Sequence, residues 1–266
     1  MKTPTLTGNR IRKYLAEGKR FDGRGPDEFR EIVIETGVLK NGDGSARVKI
    51  GKTEVLVGIK MAMGTPYPDS QDKGTMMVTT ELLPLSSPRF EYGPPKFPSI
   101  ELARVIDRGI RESNFIDFSK LCVEVGEKVW TVFIDIYTIN DDGNIMDAAG
   151  IAAVAALKNA KMPKFDKEEG KVLYGELTEN PLPLKKDVTI PITIHQVGDN
   201  FLVDPTREEE DLSETRVTIG SNSKGIISSM QKAELKSLSI KEFEGILDLS
   251  EKVNKDVLKK IEKSLK

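Results

Sequence analysis

Trp130-Thr-Val-Phe-Ile-Asp-Ile-Tyr137 runs into Asn140-Asp-Asp-Gly-Asn144 and then into Met146-Asp-Ala-Ala-Gly-Ile-Ala-Ala-Val-Ala-Ala-Leu-Lys158. The first piece, β-branched and aromatic, predicts a largely buried strand. The second is a cluster of Asn, Asp and Gly that favours a tight turn and tolerates positive φ. The third predicts a helix, rich in Ala and apolar almost all round, which belongs in the middle of a domain. A turn opening onto a helix N-terminus is a natural anion site, because free N–H groups and the helix dipole point out of it. Here the neighbours along the chain are Asp141, Asp142, Asn144, Ile145 and Asp147, with no local cation. The place suits phosphate and the local chemistry does not.

Around this centre the pattern is strands, helix, strand, helix, then strands and a last helix, which predicts an α+β chain with antiparallel sheets. A short helix is expected over 9–18, stopped by Gly18. Strands are expected at Glu31–Leu39 and Ala46–Ile50 around the hairpin signal Asn41-Gly-Asp-Gly44. Further strands at 54–60 and 74–83 would complete an antiparallel meander. Pro84–Pro98 holds five prolines and reads as an irregular loop, with Ser99 as the N-cap of the next helix. Residues 162–187 read as a connector. Two more hairpins follow, 189–197 with 200–204 and 215–219 with 226–232. A final helix over 240–265 enters through the capping box of Ser239 and Glu242.

The 266 residues are 38% hydrophobic and 31% charged, with a net charge of −2, so nucleic-acid contact requires a local cationic patch. The single cysteine, Cys122, excludes an internal disulfide and a cysteine metal cage, and its strand-like setting predicts a small buried hydrophobe. The single histidine, His195, lies in an alternating run and is expected to be structural or superficial, not catalytic. No stretch reaches the roughly 18 apolar residues of a membrane span, and no signal-peptide core opens the chain, so the expectation is a cytoplasmic protein without membrane contact.

Two charged features remain. On a helix over Ser99–Ser113, Arg104, Arg108 and Arg111 gather within roughly 60° of arc, opposite an apolar side formed by Ile100, Leu102, Ala103, Val105, Ile106 and Ile110. Glu101, Asp107 and Glu112 are placed to answer them in a solvated, salt-bridged face. The alternative is a row of guanidinium forks that tracks phosphates. The second feature is Asp204-Pro-Thr-Arg-Glu-Glu-Glu-Asp211, with five carboxylates. Its spacing favours a charged surface turn over a Mg²⁺ site or a general acid.

These residues together resemble the RNase PH family of phosphorolytic exoribonucleases. The resemblance is carried by Arg20-Phe-Asp-Gly-Arg24 with Glu28-Phe-Arg30, Gly42-Asp-Gly-Ser45 and Gly51-Lys-Thr-Glu-Val55. Ser99-Ile-Glu-Leu-Ala-Arg104, Asp142-Gly143 before the Ala-rich helix, and Asp204-Pro with the acidic run extend it over nearly the whole chain. Within the family the chain is most similar to the non-catalytic RNase PH-like ring subunits of the archaeal exosome. That resemblance implies the α+β RNase PH fold, with a ribosomal protein S5 domain-2-like part over 1–187 and a C-terminal part over 188–266. It implies a hexamer of three heterodimers, in which this chain alternates with a catalytic RNase PH-like exosome subunit. RNA-binding cap subunits would sit on one face and single-stranded RNA would thread the channel. It implies that Arg104 and Arg108, with Arg111, contact the RNA backbone.

The family's reaction is attack of inorganic phosphate on the 3′-terminal phosphodiester bond, which releases nucleoside diphosphates. Active relatives hold that phosphate with Gly-Ser-Arg or Gly-Thr-Arg where this chain has Gly143-Asn-Ile145. Active exosome subunits carry an arginine pair where this chain has Phe97-Pro98. Each close like-charge contact at about 4 Å costs roughly 4 kcal/mol at an effective dielectric near 20. The expectation is therefore no catalytic residue, no metal and no cofactor in this chain, and a supporting role in an exoribonuclease complex. The alternatives are an active homohexameric enzyme that recruits phosphate through cations distant in sequence, and a scaffold that never touches RNA.

Overall fold

The computed structural model describes residues 3–166 and 170–264. In chain order the elements are α1 (Thr5–Ala16), β1 (Ile32–Thr36), β2 (Gly44–Ile50), β3 (Thr53–Gly64), β4 (Thr75–Glu81), α2 (Phe97–Glu112), β5 (Cys122–Glu124), β6 (Lys128–Asn140) and α3 (Ile145–Asn159). Then come β7 (Lys161–Asp166), β8 (Lys171–Pro181), β9 (Thr189–Val197), β10 (Asn200–Val203), α4 (Arg207–Glu210), β11 (Thr215–Asn222), β12 (Ile227–Ala233) and α5 (Ile240–Ser264). The large sheet has the order β1-β2-β3-β6-β4, with β5 on β6, and a second sheet has the order β10-β9-β11-β12. The fold is α+β.

β6 is the spine of the large sheet. Its alternating buried positions run through Trp130, Val132, Ile134 and Ile136. Ile134 faces Ile59 of β3 antiparallel and Val78 of β4 parallel. The expected four-strand meander is therefore only three strands long. β4 does not return along β3. α2 carries the chain from β4 to β6 through a crossover, as parallel neighbours require.

α3 is apolar all round because it is covered on two sides. It packs on β2 and β3 of the large sheet and on β9 of the second sheet. Every residue from Met146 to Leu157 is buried. The small residues set how close the layers come. A Cβ placed on Gly150 would lie 2.2 Å from Pro191 Cγ on β9, so only glycine allows that approach. α2 covers β4 and also reaches β12, while α5 lies across β9 and β11.

Several expectations shift. α1 begins at Thr5, earlier than the Asn9 start, and ends before Gly18, whose φ is +71°. Ser99 is not an N-cap. α2 starts at Phe97, and the Ser99 hydroxyl instead donates to the Thr80 carbonyl (2.7 Å), fastening the first turn to β4. The supposed connector contains a hairpin, β7 with β8; residues 167–169 lie outside the described part. Cys122 is half-buried on the short strand β5. The capping box of α5 is present, with Ser239 Oγ donating to Glu242 Oε2 at 2.7 Å, though Leu265 lies outside the described residues. No helix among the described residues is long and apolar enough to cross a membrane.

Candidate functional site

The turn between β6 and α3 sits where three segments meet: the turn itself, the stretch 20–30 before β1, and the run that follows β10. Gly143 takes φ +86°, and a Cβ there would lie 2.5 Å from the Pro205 carbonyl, so the two loops touch backbone to backbone. Asn144 caps the helix from the left-handed region, at φ 61°. Thr53 Oγ1 donates to the Gly143 carbonyl at 2.6 Å and anchors the turn to β3.

Asp204 is the hub of this junction. It is fully buried, at φ 44°, and its carboxylate accepts from the Arg24 guanidinium (2.9 Å), the Arg30 guanidinium (2.7 and 2.9 Å), the Arg30 backbone N–H (2.8 Å) and the Asn144 amide (2.9 Å). Burial would push this carboxyl up, but the hydrogen bonds and charge of Arg30, with Asn144, bring it below the ordinary value. Arg30 also donates to the carbonyls of Asp142 (2.9 Å) and Gly143 (3.0 Å). Arg20, equally buried, forks onto Glu209 at 2.9 and 2.5 Å and reaches the carbonyls of Val203 and Asp204. The motif arginines 20, 24 and 30 thus all serve the loop after β10.

This overturns two expectations. The acidic run is not a surface turn. Asp204 and Glu209 are buried, α4 forms within it, and Glu209 closes a capping box with Thr206. Nor is the turn without cations, since Arg30 arrives from before β1 and Arg207 from α4. The sequence placed both far from the turn, and only the fold brings them in. Each is already engaged. Arg207 pairs with Glu210 (3.0 Å), Asp211 (3.3 Å) and Asp141 (3.5 Å), and Arg89 forks onto Asp211 at 2.5 and 2.6 Å. Burial alone would raise the Asp211 carboxyl, and Arg89, Thr3 and Arg207 hold it down at about 2. Even the N–H of Asn144, the residue that caps α3, donates to Glu210 Oε2 at 3.4 Å. The anion that such a turn attracts is supplied from within the chain. Among the described residues, no cluster of His, Cys, Asp and Glu is arranged to hold a metal ion.

Asp147 and His195 are buried beside this junction. Asp147, on the first turn of α3, accepts from Thr193 Oγ1 (2.7 Å) and the Thr193 N–H (3.2 Å), pinning α3 to β9. Burial pushes its carboxyl up to about 7 from the ordinary 3.8. Because the folded value is the higher one, the stability this group contributes is complete below about pH 4 and is lost as pH rises through 7. Asp147→Asn should remove that dependence. The stability difference between wild type and variant is expected to change by about 3 kcal/mol between pH 4.5 and pH 8, read by denaturant unfolding. A difference that is flat with pH would contradict the assignment. His195, lowered by burial to about 3, stays neutral at physiological pH and shares a 3.1 Å hydrogen bond with Ser213 Oγ. It is a structural histidine.

The arginine face of α2 divides. Arg104 and Arg108 are exposed and make no hydrogen bond or ion pair among the described residues. Two of their expected intrahelical partners are committed elsewhere, and the third, Glu112, is exposed and pairs with neither of them. Glu101 pairs with Arg216 and accepts from Gln231 (2.9 Å), and Asp107 is taken by Arg111. Arg111 is half-buried, held by Asp107 (2.7 and 3.1 Å) and the Met76 carbonyl (3.0 Å). Ile100, placed on the apolar side by its spacing, is 47% exposed.

An α+β chain with an internally neutralised turn at the start of α3 and two unpaired arginines on α2 is the class that the geometry defines. Residues 28–163 match domain 1 and residues 187–253 match domain 2 of the 3′ exoribonuclease family, RNase PH, and the chain belongs to that family. It is 46% identical over 246 residues to "Exosome complex component Rrp42" of Methanosarcina acetivorans, covering 92% of this chain and 90% of that one. Among solved structures it is similar to a chain of "archaeoglobus fulgidus exosome with RNA bound to the active site", with a TM-score of 0.88 and 44% identity, covering 96% of this chain and 98% of that chain. A chain of "Archaeal exosome core" gives a TM-score of 0.83 and 41% identity, covering 95% and 94%.

Proposed function

We propose that this chain is a non-catalytic subunit of an archaeal-type exosome, a phosphate-dependent 3′–5′ exoribonuclease ring. It alternates with a catalytic RNase PH-like partner in a hexamer of three heterodimers, beneath RNA-binding cap subunits, in the cytoplasm. Residues 1–187 and 188–266 act as its two domains. One observation carries the non-catalytic assignment: every guanidinium near the turn at Gly143 is already neutralised by Asp204, Asp141, Asp142, Glu210 or Asp211. Phosphate would have to displace bonded carboxylates and then sit among them, which the electrostatics opposes. A self-sufficient enzyme gains Arg30 and Arg207 as candidate cations, but it would have to free both of them first.

The positive role falls to Arg104 and Arg108, with Arg111 as a fixed third member, in contacting the phosphates of single-stranded RNA. The free state of the first two supports it, since a like-charge i,i+4 pair without acidic partners gains from an external polyanion. Replacing both by alanine in the reconstituted ring should weaken RNA binding and lower the magnitude of the salt slope by about 1.4, at roughly 0.7 per phosphate contact on a single strand. An unchanged slope would make these residues an ordinary solvated face.

A further inference from the structure

At the end of α2 the arginine row opens into a cleft of about 380 Å³, large enough for a nucleotide. Its wall includes Tyr67, Lys73, Arg111, Asn114, Asp117 and Lys185. Tyr67 is 57% exposed and stands between Pro66 and Pro68, which restrict its backbone and keep the ring presented. Lys73 and Lys185 are exposed, and their ammonium groups have no hydrogen bond or ion pair among the described residues. Arg111 is held in position by Asp107 and the Met76 carbonyl. The one carboxylate in the wall, Asp117, is committed to Ser119 Oγ (2.6 Å) and to Lys120 (3.3 Å). The cleft therefore offers two ammonium groups without a hydrogen bond or ion pair among the described residues, one guanidinium tethered by Asp107, and an exposed aromatic face.

We infer that this cleft is a nucleotide subsite for single-stranded RNA, in which a base stacks on Tyr67 while its flanking phosphates meet Lys73, Arg111 and Lys185. An aromatic platform beside a cationic groove is the arrangement that holds single strands regardless of sequence. Arg111 belongs both to the row and to the cleft. At a rise of 1.5 Å per residue, Arg104 and Arg111 lie about 10 Å apart along the axis, so row and cleft form one continuous cationic path. The inference rests on the proposed role of Arg104 and Arg108 and extends it.

The test uses the ring reconstituted with its RNase PH-like partner and a fluorescent single-stranded oligoribonucleotide. Tyr67→Ala should weaken binding by about fivefold to a hundredfold, as loss of one stacked base predicts, and Tyr67→Phe should stay near wild type. Lys73→Ala with Lys185→Ala should reduce the magnitude of the salt slope by about 1.4. RNA carrying 4-thiouridine should crosslink to Tyr67. Unchanged binding by Tyr67→Ala, alongside impaired binding by the Arg104 and Arg108 variant, removes the cleft and leaves the row. Impaired binding by Tyr67→Ala with an unaffected arginine variant removes the row and leaves the cleft. Competition by a mononucleotide as strong as that by the oligonucleotide would overturn assignment to a strand.

Discussion

Asp204→Ala is expected to destabilise this chain by about 3–5 kcal/mol, the cost of deleting the buried member of a charge network and leaving its partners under-compensated. The carboxylate is fully buried and binds Arg24, Arg30 and Asn144 at once. Its removal takes the buried carboxylate from two nearly buried guanidinium groups, leaving Arg24 only Asp22 and Arg30 only the more distant Asp142, and it loosens the stretch 20–30 from the loop after β10. A fall in the denaturant midpoint at constant slope would register the loss, and a change below 1 kcal/mol would mean that the arginines find equivalent partners. The pH window is set by the sign of the shifts. Asp204 and Asp211 both titrate below the ordinary carboxylate value in the folded chain, so their contribution is present above about pH 4 and fades only in stronger acid. Asp147 acts in the opposite sense between pH 4 and 7. The two windows barely overlap, so a stability profile separates them.

The largest functional effect is expected in phosphorolysis. At equal phosphate and RNA, the purified chain should be at least about 10³-fold slower than a ring that contains the active partner, because loss of a single charge-stabilising donor already costs 10²–10³-fold. The arginines at the turn do not repair this. Arg30 reaches it only as a strut between Asp204 and the carbonyls of Asp142 and Gly143, and Arg207 is divided among three carboxylates.

The strand–turn–helix at 130–158 was legible in the sequence because local pattern dictates it: alternation for β6, turn residues for 140–144, and an alanine-rich helix that only a two-sided burial can use. The C-terminal hairpins and the capped last helix were legible for the same reason. What periodicity could not carry was pairing at a distance. β4 has the pattern of a meander strand whether it lies beside β3 or beside β6, so its parallel partner was invisible. Residues 171–181 are largely exposed on β8, which removes the alternation that marks a strand. The same limit applied at the site. Asp204–Asp211 reads as a surface turn until Arg20, Arg24 and Arg30 arrive from about 180 residues away. Ion pairs across the fold divide the arginine face of α2 into two free members and one tethered one.

The most direct measurement is phosphate-dependent release of nucleoside diphosphates from single-stranded RNA, first by the purified chain and then after it is mixed with an active RNase PH-like partner. A self-plugged turn predicts no release by the chain alone and rapid release by the assembled ring. Phosphate-dependent release by the chain alone, at a rate comparable with the ring's, would contradict it.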